Sequence, residues 1–114
     1  MRGSGSPGLG LTSRRLDQWL WFARFTKSRS LASRLCAAGA ITINGIAVRK
    51  ANHPTRVGDI IVLPQGVFLR TIRVKALGVR RGPSMEARLL YEENGDPVQA
   101  SQLDAGWKPL LAYD

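Results

Sequence analysis

Cysteine and histidine are almost absent from this chain of 114 residues. The single cysteine, Cys36, excludes an internal disulfide framework and is typical of a reducing compartment. With the single histidine, His53, it supplies too few ligands for a structural zinc site, so we expect neither a metal nor a cofactor. The longest apolar runs, residues 19–23 and 60–63, are far shorter than the roughly 20 residues of a spanning helix. Since residues 1–8 also lack the apolar core of a secretory signal, we expect a cytoplasmic protein that does not bind membranes.

Acidic residues are scarce in the middle of the chain. Between Arg14 and Arg81 there are 14 Lys and Arg against two acids, Asp17 and Asp59, for a net charge of +12. From Glu92 onward the sign reverses, with five acids against one Lys, for a net charge of −4. So positive a segment repels itself unless a polyanion neutralises it, and the excess of Arg over Lys favours phosphate recognition. A solvated basic face is the alternative, whereas a membrane surface is disfavoured because turns separate the cations.

A catalytic constellation is also missing. His53 stands alone in a loop beside Pro54, where a solvated or capping role explains it better than general-base chemistry. Cys36 lies in a predicted helix with no histidine near it in sequence, which favours a small buried hydrophobe over a nucleophile. Asp17 and Asp59 have local roles, at a helix start and in a turn. We therefore expect a protein that is not an enzyme.

Two short helices are predicted in the first third of the chain, joined by a link so short that they form a hairpin. Ser13 and Ser28 are predicted to cap their N-termini, and Gly39 to end the second helix. Their apolar stripes follow helical spacing. The first helix has Leu16, Trp19, Leu20 and Ala23, and the second has Leu31, Leu35 and Ala38 with Ala32 alongside.

After Gly39 the apolar spacing changes from helical to alternating. Asn44-Gly45 between the runs 41–43 and 46–48 is a strong signal for a β-hairpin. Further strands are predicted at residues 60–63 and 68–76, and Pro83 can open a short helix. The predicted fold class is α+β: a two-helix hairpin packed on a small, mostly antiparallel sheet, with a short C-terminal helix.

The chain divides into a flexible leader at residues 1–13, one domain at residues 14–93 and a tail at residues 94–114. The tail is acidic but too apolar to remain solvated, so we expect it to dock on the domain or on a second copy. Its large apolar residues are Leu103, Trp107, Leu110, Leu111 and Tyr113.

The cations concentrate on the predicted helical hairpin and its link. Ser30 and Arg34 lie four residues apart on one helix face, and the N-terminus of that helix offers free N–H groups to a phosphate. The amide of Asn44 can contact a base edge or a 2′-hydroxyl group. The candidate nucleic-acid-binding residues are Arg15, Arg24, Lys27, Ser28, Arg29, Ser30, Arg34 and Asn44.

Four motifs in order resemble the S4-type RNA-binding domain, which carries the helical αL motif. They are Arg15-Leu16-Asp17-x-x-Leu20, Lys27-Ser28-Arg29-x-x-Ala32, Gly39-x-Ile41-x-Ile43-Asn44-Gly45 and Val57-Gly58-Asp59-x-Ile61. Residues 15–25 and 89–93 further resemble the bacterial ribosome-associated heat-shock protein 15 family.

The resemblance implies an S4-like fold and non-catalytic binding of large-subunit ribosomal RNA, with tRNA as a further RNA partner. It also implies a role on the large ribosomal subunit in the rescue or recycling of stalled complexes under stress. We expect a monomer. Two alternatives remain open: an RNA-binding module related to those of pseudouridine synthases or a tRNA synthetase, and a protein-interaction module that uses the apolar tail. By position, the RNA-facing residues are Arg15, Lys27, Ser28, Arg29, Ser30, Arg34 and Asn44, with Lys50 as an addition.

Overall fold

Residues 11–99 are described by a computed structural model of the protein. The first ten residues of the predicted leader and the predicted tail beyond residue 99 lie outside the described residues. The elements in chain order are β1 Arg14–Arg15, α1 Leu16–Phe22, α2 Arg29–Ala37, β2 Thr42–Ile43, β3 Ile46–Ala47, β4 Pro54–Thr55, β5 Ile60–Gln65, β6 Phe68–Val74, α3 Ser84–Ala87, a 3₁₀ turn Arg88–Leu90, β7 Tyr91–Glu93 and β8 Val98–Gln99.

The sheet confirms the predicted α+β class. Its strand order is β3-β2-β5-β6-β7, β8 also pairs with β6, and all of these pairings are antiparallel. A separate two-stranded ladder joins β1 to β4. Since Val98 and Gln99 pair with Leu69 and Phe68, the sheet continues past residue 93, where the tail was predicted to begin.

The β2–β3 hairpin forms as predicted. Ile43 pairs with Ile46, which leaves Asn44 and Gly45 as a two-residue turn. Their φ angles are 52° and 86°, as a type I′ turn requires. Asparagine tolerates this left-handed conformation and glycine adopts it freely, so the local sequence alone determines the turn.

Strand β5 is longer than the predicted run 60–63, because it continues through Pro64 to Gln65. The neighbouring strand β2 pairs only with Ile61 and Val62. Pro64 therefore lies past the end of β2, and its missing N–H removes no hydrogen bond from that side of the sheet.

The predicted cap of α1 by Ser13 is wrong, whereas the cap of α2 is confirmed. Helix α1 begins at Leu16, whose N–H donates to the His53 carbonyl at 2.9 Å, and Asp17 N–H donates to Ala51 at 3.1 Å. A segment distant in sequence thus satisfies the first turn, which the local pattern does not show. At α2, the Ser28 hydroxyl accepts from the N–H of Leu31 at 3.1 Å, as predicted.

The core lies between the helical hairpin and the sheet. The predicted stripe of α1 is buried, and the indole N–H of Trp19 donates to the Ala76 carbonyl at 2.9 Å. The predicted stripe of α2 is confirmed only at Ala32, because Ala32 and Cys36 are the buried residues of this helix while Leu31 and Leu35 are partly exposed. Small side chains on this face let α2 lie close against α1 and the core.

The C-terminal helix also differs in its apolar side. Helix α3 starts after Pro83 as predicted, and Leu90 is buried, but Leu89 is 73% exposed and Tyr91 already belongs to β7. Within residues 11–99, none of the helices combines the length and the apolar character that a membrane crossing requires.

Candidate nucleic-acid interface

The positive charge of the described residues is concentrated in one part of the chain. Residues 14–56, here called the hairpin region, hold nine Lys and Arg against one acid, for a net charge of +8. Residues 57–99, here called the sheet region, hold six Lys and Arg against five acids, for a net charge of +1. An anionic partner is therefore attracted mainly to the hairpin region.

Most cations of the sheet region already have acidic partners. Arg70 pairs with Glu93, and Arg73 and Lys75 lie 3.7 and 3.5 Å from the carboxylate of Glu92. A fourth pair joins Arg80 to Glu86 at 2.7 Å. Arg81 lies over the Trp21 ring at 5.5 Å and donates to the Trp21 carbonyl at 3.1 Å. The neighbouring carboxylates cancel much of the positive charge that would otherwise attract a phosphate to this region.

In the hairpin region, six exposed cations form no ion pair with the described residues. They lie in α2, in the link that precedes it and in the segments that follow β3 and β4. They are Arg24, Lys27, Arg34, Arg49, Lys50 and Arg56. Four of them were predicted from the sequence, whereas Arg49 and Arg56 were not.

Arg15 and Arg29, both predicted, meet at the buried carboxylate of Asp17. Arg15 donates to both oxygens, at 3.0 and 3.1 Å, and the Arg29 guanidinium lies 3.6 Å from Oδ2. The Ser33 hydroxyl donates to Oδ2 at 3.1 Å, and the Gln18 N–H donates to Oδ1 at 2.8 Å. Asp17 thus connects β1, α1 and α2, a role that goes beyond the predicted one at a helix start.

The pKa of Asp17 shows how strongly these contacts favour its charged form. Burial alone raises the pKa of this carboxyl, but the hydrogen bonds from Arg15 and Ser33 and the Arg15 charge bring it below its ordinary value of 3.8. The same hydrogen bond and charge raise the pKa of Arg15. Both groups are therefore ionised at neutral pH.

The N-terminus of α2 presents predicted residues side by side at the surface. Lys27, Ser28, Arg29 and Ser30 are all exposed, and the Thr26 hydroxyl donates to the Ser28 carbonyl at 2.9 Å, which fixes the link. The cap uses the N–H of Leu31. Helix geometry leaves the N–H groups of Arg29 and Ser30 without an intrahelical acceptor, so they are free to approach an anion.

Arg24 and Asn44 have structural contacts beside their predicted contacts with nucleic acid. Arg24 has a φ of 66°, and its Nε donates to the Gly82 carbonyl at 2.7 Å. Asn44 donates through Nδ2 to Asp59 at 3.1 Å and accepts from the Ile60 N–H at 2.9 Å. Both residues are exposed, and their nucleic-acid contacts remain predictions.

Cys36 and Arg14 have environments that separate them from the surface chemistry. Burial, together with the negative charge of Asp17, raises the pKa of Cys36 to about 12, so the thiol stays protonated. Arg14 lies over the Phe22 ring at 4.9 Å and donates to the Gly78 carbonyl at 2.8 Å, and burial lowers its pKa. Arg14 contributes to the positive charge of the hairpin region, but its contacts connect α1 with the sheet region.

Arg49 shows a contact that sequence analysis missed. A Cβ atom built on Gly39 would lie 2.7 Å from Nη1 of Arg49, so the guanidinium packs directly against the turn that ends α2. Gly39 has a φ of 74°, which favours glycine in any case. The signal in the sequence was the presence of Arg49, Lys50 and Arg56 just after the hairpin, in a stretch without an acid.

The helical hairpin and the strands that follow it define an S4 domain. The family model described as "S4 domain" matches residues 14–61, which span β1 to the start of β5. A solved structure described as trimeric heat shock protein 15 of Vibrio cholerae superimposes with a TM-score of 0.69 at 38% identity. The match covers 72% of this chain and 82% of that one.

Relatives in sequence narrow the class to a family. Heat shock protein 15 of Escherichia coli K12 is 40% identical over 88 residues, which are 75% of this chain and 63% of that protein. A protein of Halalkalibacterium halodurans named RQC P-site tRNA stabilizing factor is 36% identical over 91 residues, 77% of this chain and 99% of that protein. The chain belongs to the heat shock protein 15 family of S4-domain proteins. It spans less than two thirds of the length of the Escherichia coli relative.

Proposed function

We propose that this protein binds RNA through its hairpin region, without catalysing a reaction, and acts on the large ribosomal subunit. The observation that carries the proposal is the placement of charge: net +8, with six exposed cations that form no ion pair with the described residues. A surface of this kind is a cost to the isolated fold, because its charges repel one another. A polyanion removes that cost when it binds.

The proposed partner is ribosomal RNA of the large subunit, with tRNA as a further partner, in the cytoplasm. The names of two relatives support this choice, since one is a stabilizing factor of P-site tRNA and the other a heat shock protein. The proposed role is the rescue or recycling of stalled ribosomal complexes under stress. The predicted interface consists of Arg15, Arg24, Lys27, Ser28, Arg29, Ser30, Arg34, Asn44 and Lys50.

The mechanism divides affinity from selectivity. Guanidinium and ammonium groups neutralise phosphates and release counterions, which supplies affinity for any RNA. Selectivity comes from fixed geometry, because α2, its N-terminus and the β2–β3 turn are rigid elements that match a folded RNA better than a flexible strand. No chemical step is needed, and the apolar core serves only to hold these elements.

Binding of large-subunit RNA at increasing salt tests the proposal. With five to seven phosphate contacts, the affinity should fall about 10²- to 10⁴-fold between about 50 and 200 mM salt. The control ligand is a flexible single strand of equal length, which should bind more weakly and with a shallower slope. An affinity that changes less than about threefold over this range rejects counterion release as the driving force. That outcome favours the protein-interaction alternative.

A further inference from the structure

Asp17 is an exception in the hairpin region. It is the one acid among residues 14–56, and an acid in a surface that binds RNA weakens the attraction for phosphates. Its side chain is only 3% exposed, so it does not serve solubility. Its carboxylate nevertheless remains charged, since its contacts keep its pKa below the ordinary value. A charged group kept in so unfavourable a place requires a specific role.

The contacts of Asp17 show what that role is. Arg15 on β1 binds the carboxylate with two parallel hydrogen bonds, a geometry that fixes the plane of the guanidinium. Arg29, in the first turn of α2, approaches Oδ2 from the other helix. Ser33, one turn further along α2, donates to the same oxygen and keeps that helix face against the carboxylate. One buried anion therefore holds two cations from different elements.

Both cations remain available to a ligand. The side chains of Arg15 and Arg29 are 52% and 43% exposed, and each uses only part of its guanidinium on Asp17. Without the carboxylate between them, the two positive charges would repel each other and both side chains would sample many rotamers. Ordering them would then lower the free energy gained on binding RNA.

We propose that Asp17 is a positioning residue that holds Arg15 and Arg29 as a paired guanidinium site for phosphates of the RNA backbone. The inference rests on the proposed function and deepens it, because it assigns a defined geometry to two of the predicted contacts. On this proposal, the negative charge of Asp17, which by itself weakens the attraction for RNA, orders the two arginines before RNA binds.

The variant Asp17→Asn distinguishes a positioning role from electrostatics alone, because the two predict opposite changes in RNA affinity. The change removes a negative charge, so electrostatics alone predicts tighter RNA binding. Positioning predicts weaker binding, by about tenfold, since the amide offers one acceptor oxygen in place of two and no charge to hold the two arginines. The salt dependence should also become shallower by about one phosphate contact, which a general loss of stability would not cause. The matched control is Glu92→Gln, which removes an acid from the sheet region and should not weaken binding.

Arg15→Lys keeps the test valid should Asp17→Asn fold poorly. Lysine retains the charge of this exposed residue but cannot form the two parallel bonds, so we expect a loss of about threefold to tenfold. In the double variant with Asp17→Asn, the Arg15→Lys change should have little further effect, since the geometry it disturbs is already lost. Circular dichroism at the assay temperature shows whether each variant is folded.

Two negative outcomes are distinct. If the unaltered protein binds RNA with a steep salt dependence, but Asp17→Asn binds as tightly or more tightly, the positioning role is rejected and the proposed function stands. Equal binding by Arg15→Lys and the unaltered protein likewise rejects the role. If the unaltered protein does not bind RNA, the proposed function itself fails.

Discussion

The hairpin region and the sheet region are built from the same kinds of residues but differ in where their acids lie. The sheet region places Glu86, Glu92 and Glu93 on the surface beside its cations. The hairpin region has a single acid, which is buried beneath two of its cations. The number of Lys and Arg therefore does not locate a phosphate-binding surface. What locates it is the surface on which cations outnumber acids: the hairpin region exposes eight cations and no acid, whereas the cations of the sheet region lie among exposed carboxylates.

The two arrangements also differ in what they contribute to stability. Exposed pairs such as Arg80 with Glu86 contribute about 0.2–1 kcal/mol each, so the sheet region gains little from them beyond a lower net charge. In the hairpin region, mutual repulsion among the cations lowers the stability of the fold. Burial of Leu16, Trp19 and Leu20 offsets that cost, at about 1.5–3 kcal/mol for each large side chain.

Charge reversal should separate the regions most clearly. Arg29→Glu with Arg34→Glu should weaken RNA binding more than about 100-fold, because two predicted phosphate contacts of α2 become repulsive. The matched pair Arg73→Glu with Lys75→Glu should change the affinity less than about fivefold, because these residues lie outside the hairpin region. Both affinities are measured at the same salt concentration. Equal losses would show that a diffuse field, and not a site, attracts the RNA.

Substitutions in the β2–β3 turn should lower the stability of the fold more clearly than they lower the affinity for RNA. Gly45→Val places a β-branched residue at a φ of 86° and should destabilise the fold by about 2 kcal/mol or more, as thermal melting would show. Asn44→Ala removes the bonds to Asp59 and Ile60 and should cost about 1 kcal/mol. Because Asn44 is also predicted to contact RNA, Asn44→Ala should weaken RNA binding as well. If Asn44→Ala binds RNA as tightly as the unaltered protein, Asn44 serves the turn alone.

Arg49 and Arg56 should show smaller effects that are specific to the hairpin region. Replacement of either residue by alanine should weaken RNA binding about twofold to tenfold and make the salt slope shallower by about one contact. Arg88→Ala in the sheet region is the control and should leave the slope unchanged. If Arg88→Ala weakens binding as much as Arg56→Ala, the boundary between the two regions is drawn in the wrong place.

Removing the acidic partner of a cation in the sheet region should raise the affinity for RNA slightly, whereas the preceding substitutions lower it. Glu86→Gln frees Arg80 in the sheet region, and the affinity for RNA should rise by no more than about twofold. A rise beyond about tenfold would mean that Arg80 lies next to the bound RNA and that Glu86 inhibits the contact.

At low pH, protonation of the buried Asp17 carboxylate should lower the stability of the fold. Because the folded-state pKa of Asp17 lies below its ordinary value of 3.8, its carboxylate contributes stability that is present above that value and lost as the pH falls through the folded-state pKa. The difference in melting temperature between the protein and Asp17→Asn should therefore be constant from about pH 7 to pH 5 and shrink below about pH 4. A difference that persists unchanged at about pH 2 would contradict this assignment.

Local signals account for the parts of the fold that the sequence predicts. The Asn44-Gly45 turn and the Ser28 cap depend on neighbouring residues only, and both were predicted from them. The Ser13 cap was wrong because Arg14 pairs with Thr55, a partner far along the chain. The buried face of α2 was predicted only in part, because packing places the small residues Ala32 and Cys36 in the core and leaves Leu31 partly exposed.

The candidate site shows the same limit. The cations and their concentration in residues 14–56 can be counted in the sequence. Their partners cannot, because Arg73 meets Glu92 across two strands and Arg29 meets Asp17 across two helices. Family resemblance supplied the identity of the RNA-facing positions, whereas only the structure shows which cations are already paired.

Crosslinking of bound RNA to the unaltered protein, followed by identification of the crosslinked peptides, tests the central claim most directly. We expect the crosslinks to concentrate in residues 15–56, in particular at the N-terminus of α2 and in the segment after β3. Crosslinks placed mainly in residues 57–99, or spread evenly over both regions, would contradict it.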